Sequence, residues 1–165
     1  MSSSAIRKIH SLPALTRRIA HARAQGRRVV FTNGCFDLLH AGHVTLLERA
    51  RRLGDLLIVG LNSDRSVRML KGSTRPIVNQ RDRARLVAAL ECVDYVMIFN
   101  EPTPQQAVER LQPDVLVKGA DWGTQQIVGS DVVRRQGGRV VRVPLVKGLS
   151  TSTLIERIRG LRESR

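Results

Sequence analysis

Phe31-Thr32-Asn33-Gly34-Cys35-Phe36-Asp37-Leu38-Leu39-His40-Ala41-Gly42-His43 is the stretch whose reading decides the fold. The apolar run Val29-Val30-Phe31 reads as the end of a buried strand. A glycine-containing turn follows, and Val44-Thr45-Leu46-Leu47-Glu48-Arg49-Ala50 reads as a helix. A strand that feeds a helix through such a turn offers an anion the unpaired N–H groups of the helix start. His40 and His43, three residues apart, fall on one face of that first turn. Two donor groups beside an anion site point to chemistry on phosphate.

Working outward, strand and helix signals alternate to the end of the chain. Strands are expected over residues 27–32, 55–61, 94–99, 114–118 and 139–143. Helices are expected over 12–25, 42–53, 67–70, 80–91, 103–111, 125–136 and 150–161. Leu86, Val87 and Leu90 mark the apolar face of the fourth of these. Glycines and prolines punctuate the boundaries: Pro13 at a helix start, Gly26, Gly54 and Gly137-Gly138 at helix ends. The strands are near-continuous Val/Ile/Leu, the pattern of a parallel sheet buried on both faces. The expected fold is therefore α/β, a Rossmann-like, doubly wound, five-stranded parallel sheet with helices on both faces. Its ligand edge lies beyond the carboxyl ends of the strands, at a switch point in strand order. With 165 residues the chain suits one domain, residues 1–26 being a helical extension before the first strand.

Composition narrows the partners. The net charge is +14, but Arg17-Arg18, Arg27-Arg28, Arg51-Arg52, Arg134-Arg135 and the Arg157 to Arg165 tail are spread along the chain. Aromatic residues make up only 3%, which leaves little for stacking on bases. Nucleic acid is accordingly not expected as a partner, whereas a dispersed positive field suits small anionic substrates. No apolar run reaches the ~20 residues of a membrane span, and no signal peptide is expected. Cys35 and Cys92 are the two cysteines and lack metal-site spacing; a reducing cytoplasm, no disulfide and no protein-bound metal are expected. There are four lysines, and Lys71, Lys118 and Lys147 each precede a glycine at an expected strand or helix end. A compact ammonium acts as a point charge on phosphate.

His40-Ala41-Gly42-His43 resembles the H-x-G-H signature of the nucleotidyltransferase superfamily, which includes cytidylyltransferases and adenylyltransferases. Further segments match: Asn62-Ser63-Asp64 with Lys71-Gly72, Arg83 on the following helix, Lys118-Gly119-Ala120-Asp121-Trp122, and Leu149-Ser150-Thr151-Ser152-Thr153. Within the superfamily the chain most resembles the D-glycero-β-D-manno-heptose 1-phosphate adenylyltransferases. Thr32 to His43, Arg75-Pro76-Ile77-Val78, residues 89–94 and residues 115–122 carry that likeness. Ala120 stands where those enzymes usually show glycine. Glycerol-phosphate cytidylyltransferases carry an arginine where this chain has Val146-Lys147-Gly148, which weighs against that alternative.

The resemblance implies adenylyl transfer from ATP to a heptose 1-phosphate, giving ADP-heptose and pyrophosphate. It implies His40, His43 and Lys71 as catalytic residues. Thr32, Asn33, Gly34, Cys35, Phe36, His40, His43, Asn62, Arg83, Lys118, Gly119, Ser150, Thr151 and Ser152 would bind the nucleotide. Asp37, Lys71, Asp121 and Trp122 would bind the sugar phosphate. Two roles stay open for Asp37, positioning the acceptor or holding the loop, and for Trp122, pocket wall or core. Mg²⁺ bridging the substrate phosphates, a homodimer and a cytoplasmic, stand-alone enzyme are also implied. A non-catalytic nucleotide- or nucleic-acid-binding module is the alternative of another class.

Overall fold

The structure is a computed structural model; it describes residues 4–120, 127–144, 146 and 148–163. The five strands are β1 (Val29–Gly34), β2 (Leu56–Asn62), β3 (Tyr95–Phe99), β4 (Val115–Gly119) and β5 (Arg139–Val143). They form one parallel sheet in the order β3-β2-β1-β4-β5. The chain builds from β1 out to β3, then returns to lay β4 against the free side of β1. The switch point therefore falls between β1 and β4, and the fold is α/β and Rossmann-like.

Side chains of successive strand residues point to opposite faces, and each face has its own core. Val30, Leu57, Val59, Leu61, Val96, Val115 and Val117 pack on one side. There they meet α2 (Ala41–Arg51) through Leu47 and Ala50, and α4 (Gln80–Ala88) through Ala84, Val87 and Ala88. Val29, Phe31, Leu56, Ile58, Met97 and Leu116 pack on the other. That face is covered by α1 (Leu12–Ala24), α5 (Gln105–Leu111) and α6 (Ser130–Arg135). The remaining helices are α3 (Asp64–Lys71) and α7 (Thr151–Glu163), with a short 3-10 turn at Ile6–Lys8. Leu15, Ile19 and Ala22 of α1 lie in the same core as Val29 and Phe31, so the N-terminal helix is a layer of the fold rather than an appendage.

All five expected strands form, four of them starting one or two residues later than expected. Two helices differ in ways with clear causes. The expected helix over 125–136 shortens to α6 because Gly129 caps it at φ +85°, and a Cβ there would sit 2.9 Å from Val108. In α4, Leu86 is 47% exposed; the buried face is Arg83, Ala84, Val87 and Ala88. A wholly buried arginine occupies a core position there, and an apolar period does not register it.

Each of β2, β3 and β4 is preceded by an aspartate whose carboxylate accepts a backbone N–H at the start of the neighbouring strand. Asp55 Oδ2 accepts from Arg28 N, Asp94 Oδ2 from Leu57 N and Asp114 Oδ2 from Val29 N, each at 2.7 Å. The three pairs fasten β1, β2, β3 and β4 at their amino ends.

Candidate active site

β1 ends at Gly34, and α2 starts at Ala41 with His40 as its N-cap. No side chain caps this helix, so its first N–H groups face the carboxyl edge of the sheet. In the intervening loop Phe36 adopts a left-handed backbone (φ +46°), a conformation rare for a non-glycine residue. Its ring turns inward and is 4% exposed. Gly34 makes room for it: a Cβ there would lie 3.1 Å from the Phe36 ring. The same ring meets His43 at a centroid distance of 5.1 Å.

His40 and His43 are stacked, with ring centroids 3.8 Å apart and planes 23° from parallel. A Cβ on Gly42 would stand 3.0 Å from both Cε1 and Nδ1 of His40, so the glycine of the H-x-G-H segment gives the first ring its seat. Nδ1 of each histidine is buried without a hydrogen-bond partner among the described residues. Burial, then the neighbouring His40, pulls His43 down to about 4; burial also lowers His40. At neutral pH both rings are thus uncharged in the free protein. An arriving anion favours their protonated forms and supplies an acceptor that the orphaned nitrogens lack.

The loop is held from behind by two buried charges. Asp37, 1% exposed, accepts from Arg75 Nε at 2.6 Å and from the Ile77 and Val78 amides at 2.8 and 2.9 Å. Burial alone would raise its pKa; the amides of Val78 and Ile77 and the Arg75 guanidinium outweigh that and hold it below the usual value. Through these bonds Asp37 holds the loop to the 75–78 segment. Arg83, with no exposed surface, donates from Nε to Val78 O (2.9 Å), from Nη1 to Cys35 O (2.5 Å) and from Nη2 to Asp64 Oδ1 (2.7 Å). Arg83, expected at the nucleotide, here joins the loop after β1, the 72–79 segment and the start of α3 through its guanidinium. Arg75 and Asp64, to which the sequence reading gave no role, complete these clamps. Nothing in hydropathy or spacing marks a charged residue for burial.

Two further residues expected at the nucleotide also make hydrogen bonds within the fold. Thr32 is fully buried, and its hydroxyl donates to Val117 O across the β1–β4 seam at 3.0 Å. Asn62 is 3% exposed and donates to Ser66 Oγ at 2.9 Å. Both fix the carboxyl edge in shape. Lys118, at the end of β4, donates to Asn33 O at 3.1 Å and bridges the switch point beside the buried Gly119. Asn33 Oδ1 is buried with no partner among the described residues. Cys35 is half-buried, its thiol pushed up by burial and opposed by the charge of nearby Lys71. Lys71 is thereby placed close to the loop, exposed at the last turn of α3.

The start of α7 joins the same place. A Cβ on Gly42 would lie 3.5 Å from Leu149 Cβ, which brings the Ser150-Thr151-Ser152 segment against the start of α2. Ser150 Oγ caps α7 by accepting from Thr153 N at 3.0 Å. Ser152 is exposed and Thr151 half-buried. Asp121, Trp122 and Lys147 lie outside the described residues. The structure thus gathers His40, His43, Asn33, Gly34, Cys35, Phe36, Lys71, Lys118, Gly119 and Ser150 to Ser152 around one edge. Among the described residues there is no cluster of three or more His, Cys, Asp or Glu to hold a metal ion, nor a helix long and apolar enough to cross a membrane.

The chain is similar to known proteins. A family profile described as Cytidylyltransferase-like matches residues 31–157. The chain is 53% identical over 151 residues to the Bifunctional protein HldE of Citrifermentans bemidjiense and 56% identical over 151 residues to that of Magnetococcus marinus. Each match covers 92% of this chain and 31% of the relative, so the chain spans about a third of the length of these proteins. A lipopolysaccharide core biosynthesis protein from Thermoplasma volcanium is similar in structure, with TM-score 0.61 and 29% identity over 74% of this chain and 98% of that one. A pantoate-beta-alanine ligase from Francisella tularensis shares the fold at TM-score 0.64 and 16% identity, over 90% of this chain and 72% of its own. The profile spans every site segment from the strand end to the last helix, and on that ground the chain belongs to the cytidylyltransferase-like family of nucleotidyltransferases.

Proposed function

We propose that the protein transfers the adenylyl group of ATP to D-glycero-β-D-manno-heptose 1-phosphate, releasing pyrophosphate and forming ADP-heptose for surface polysaccharide. The observation that carries nucleotidyl transfer is the meeting of two helix starts, one uncapped, over a pair of neutral histidines with orphaned nitrogens. The choice of ATP and heptose phosphate rests on the Thr32 to His43 and 115–122 segments. The likeness to a lipopolysaccharide core biosynthesis protein supports it.

In this reading an oxygen of the sugar phosphate attacks the α-phosphorus of ATP in line, and the bond to the β-phosphate oxygen breaks. Negative charge moves onto the phosphoryl oxygens, so catalysis is positioning plus electrostatic stabilisation. His40 and His43 would donate to the α-phosphate and to the leaving pyrophosphate, taking up protons as charge arrives. The first N–H groups of α2 and those of Thr151 and Ser152 would hold phosphate oxygens. Lys71 would neutralise the β,γ-phosphates or the acceptor phosphate. Asp121 and Trp122 are proposed for the sugar. Asp37 and Asp64 are already occupied by arginines. The donor set therefore suits a Mg²⁺ ion held by substrate phosphates and water, where it would offset phosphate charge. A homodimer and a cytoplasmic location belong to the same proposal.

The test is pyrophosphate release with Mg²⁺, crossing ATP and CTP with heptose 1-phosphate and glycerol 3-phosphate. Release with ATP and the heptose phosphate alone is expected. Release with CTP and glycerol phosphate would keep the mechanism and overturn the substrate, and no release from folded protein would overturn both.

A further inference from the structure

The arginines that stand apart in the sequence are collected by the fold. Helices of a doubly wound sheet run antiparallel to its strands, so helix ends and strand starts share one edge. Arg23 near the end of α1, Arg28 before β1, Arg110 and Arg134 in the last turns of α5 and α6, and Arg139 at the start of β5 all fall there. This is the edge opposite the candidate active site. A cleft of about 500 Å³ opens in it, lined among others by Arg23, Arg28, Gln112, Asp114, Gln136 and Arg139.

Helix C-termini carry partial negative charge and would by themselves repel an anion. Here that charge is already answered. Arg23 Nη2 donates to Leu111 O at 2.7 Å and also to Gln112 O, covering the end of α5. Val133 O and Arg134 O of α6 accept from the Gln136, Gly137 and Gly138 amides. The carboxylate of Asp114 is engaged by Val29 N. Arg28 and Arg139 are left over: both are exposed, and neither side chain has a hydrogen bond or ion pair among the described residues. The nearby carboxylates that could pair with them are tied to backbone amides.

We propose that this cleft is a second ligand site, distinct from the nucleotide site, that takes a small polyanion bearing two or more phosphate or carboxylate groups. Two guanidinium forks match the paired oxygens of such groups. The Gln112 and Gln136 amides stand ready for polar substituents, and the volume is that of a small-molecule pocket.

The experiment is an amide-resolved ¹⁵N NMR titration of the full chain at about 0.15 M salt, where generic attraction to the net charge is screened. Inorganic pyrophosphate and citrate serve as separate probes for the phosphate and carboxylate classes. At least one probe is expected to shift the amides of Gln112, Gln136, Gly137 and Arg139, saturating independently of any shifts at residues 34–43. Response to one probe alone assigns the class. The double variant Arg28→Ala/Arg139→Ala should weaken the amino-edge response at least tenfold and leave the response at residues 34–43 unchanged. Both replaced side chains are exposed, and Arg28→Lys/Arg139→Lys, which keeps charge and loses the forks, should weaken it to an intermediate degree. Shifts confined to residues 34–43 with both probes, or an amino-edge response that survives the alanine pair, would overturn the proposal.

Discussion

Replacing Arg83 with methionine keeps the unbranched apolar stem of the side chain and removes its three hydrogen bonds. The consequence can be sized from the structure. Arg83 is wholly buried and Asp64 is 24% exposed, so the substitution strands a carboxylate that water can reach only in part. Breaking a buried pair from one side costs about 3–5 kcal/mol, and partial access of water to Asp64 draws the value toward the lower end. The stranded Cys35 and Val78 carbonyls add a penalty of about 1–3 kcal/mol each where no water replaces the donor, not fully additive with the first. A loss of about 3–5 kcal/mol is expected, against a total of about 5–15 kcal/mol for a domain. Urea unfolding followed by far-UV circular dichroism measures it, and the melting temperature should fall by about 10 °C. A cycle with Asp64→Asn should show a coupling above about 1.5 kcal/mol, because the two residues share one interaction. A loss below about 1 kcal/mol for Arg83→Met, or a coupling indistinguishable from zero, would refute the clamp.

Other perturbations separate seat from chemistry. Gly42→Ala puts a methyl group 3.0 Å from the His40 ring and should lower turnover at least tenfold while the melting temperature stays within a few degrees; an unchanged kcat would show that the stack can shift freely. His43→Ala should lower kcat by orders of magnitude in the pyrophosphate-release assay, with the circular dichroism spectrum intact. Lys71→Ala, exposed and at a helix end, should raise KM for at least one substrate more than it lowers stability. Stability against pH should be level near neutrality and decline as pH falls from about 6.5 toward about 4, because the folded state resists protonating His43 while the unfolded chain accepts the proton. His43 by itself contributes a slope of at most about 1.4 kcal/mol per pH unit, and His40, lowered in the same direction, adds to it. His43→Ala should flatten that decline, and a further loss below about pH 4 marks Asp37, whose carboxylate is held ionised by its partners.

The alternation of apolar strands with capped helices made the layers legible before any coordinates, since both signals are local. The phosphate loop was legible for the same reason: Gly34, Gly42 and the two histidines stand within ten residues of one another. Arg83 and Asp37 show where such reading stops. Asp37 is bound by Arg75, 38 residues on, and Arg83 reaches back 48 residues to the Cys35 carbonyl, partners that no local pattern announces. The Thr32 hydroxyl likewise binds a carbonyl 85 residues on. Long-range hydrogen bonding decides whether a polar residue faces the ligand or the core, and sequence carries no period for it. The gathering of arginines at the amino edge was hidden for a related reason. Residues spread along a chain become neighbours when every helix ends on the same side.

The position of β4 beside β1 bears on how the chain must be made. Synthesis runs from the N-terminus, so β1, β2 and β3 emerge and can pair in order while the outer side of β1 still lacks its neighbour. Val30, Phe31 and Thr32 wait there until Val115 to Val117 arrive about eighty residues later. For that interval a strand whose first four residues end up buried is an open edge, with unpaired N–H and C=O groups, the kind of template on which other chains add. The growing chain is thus most exposed to aggregation at its centre rather than at its rim, and the return crossover that creates the ligand site is also the step that closes this hazard.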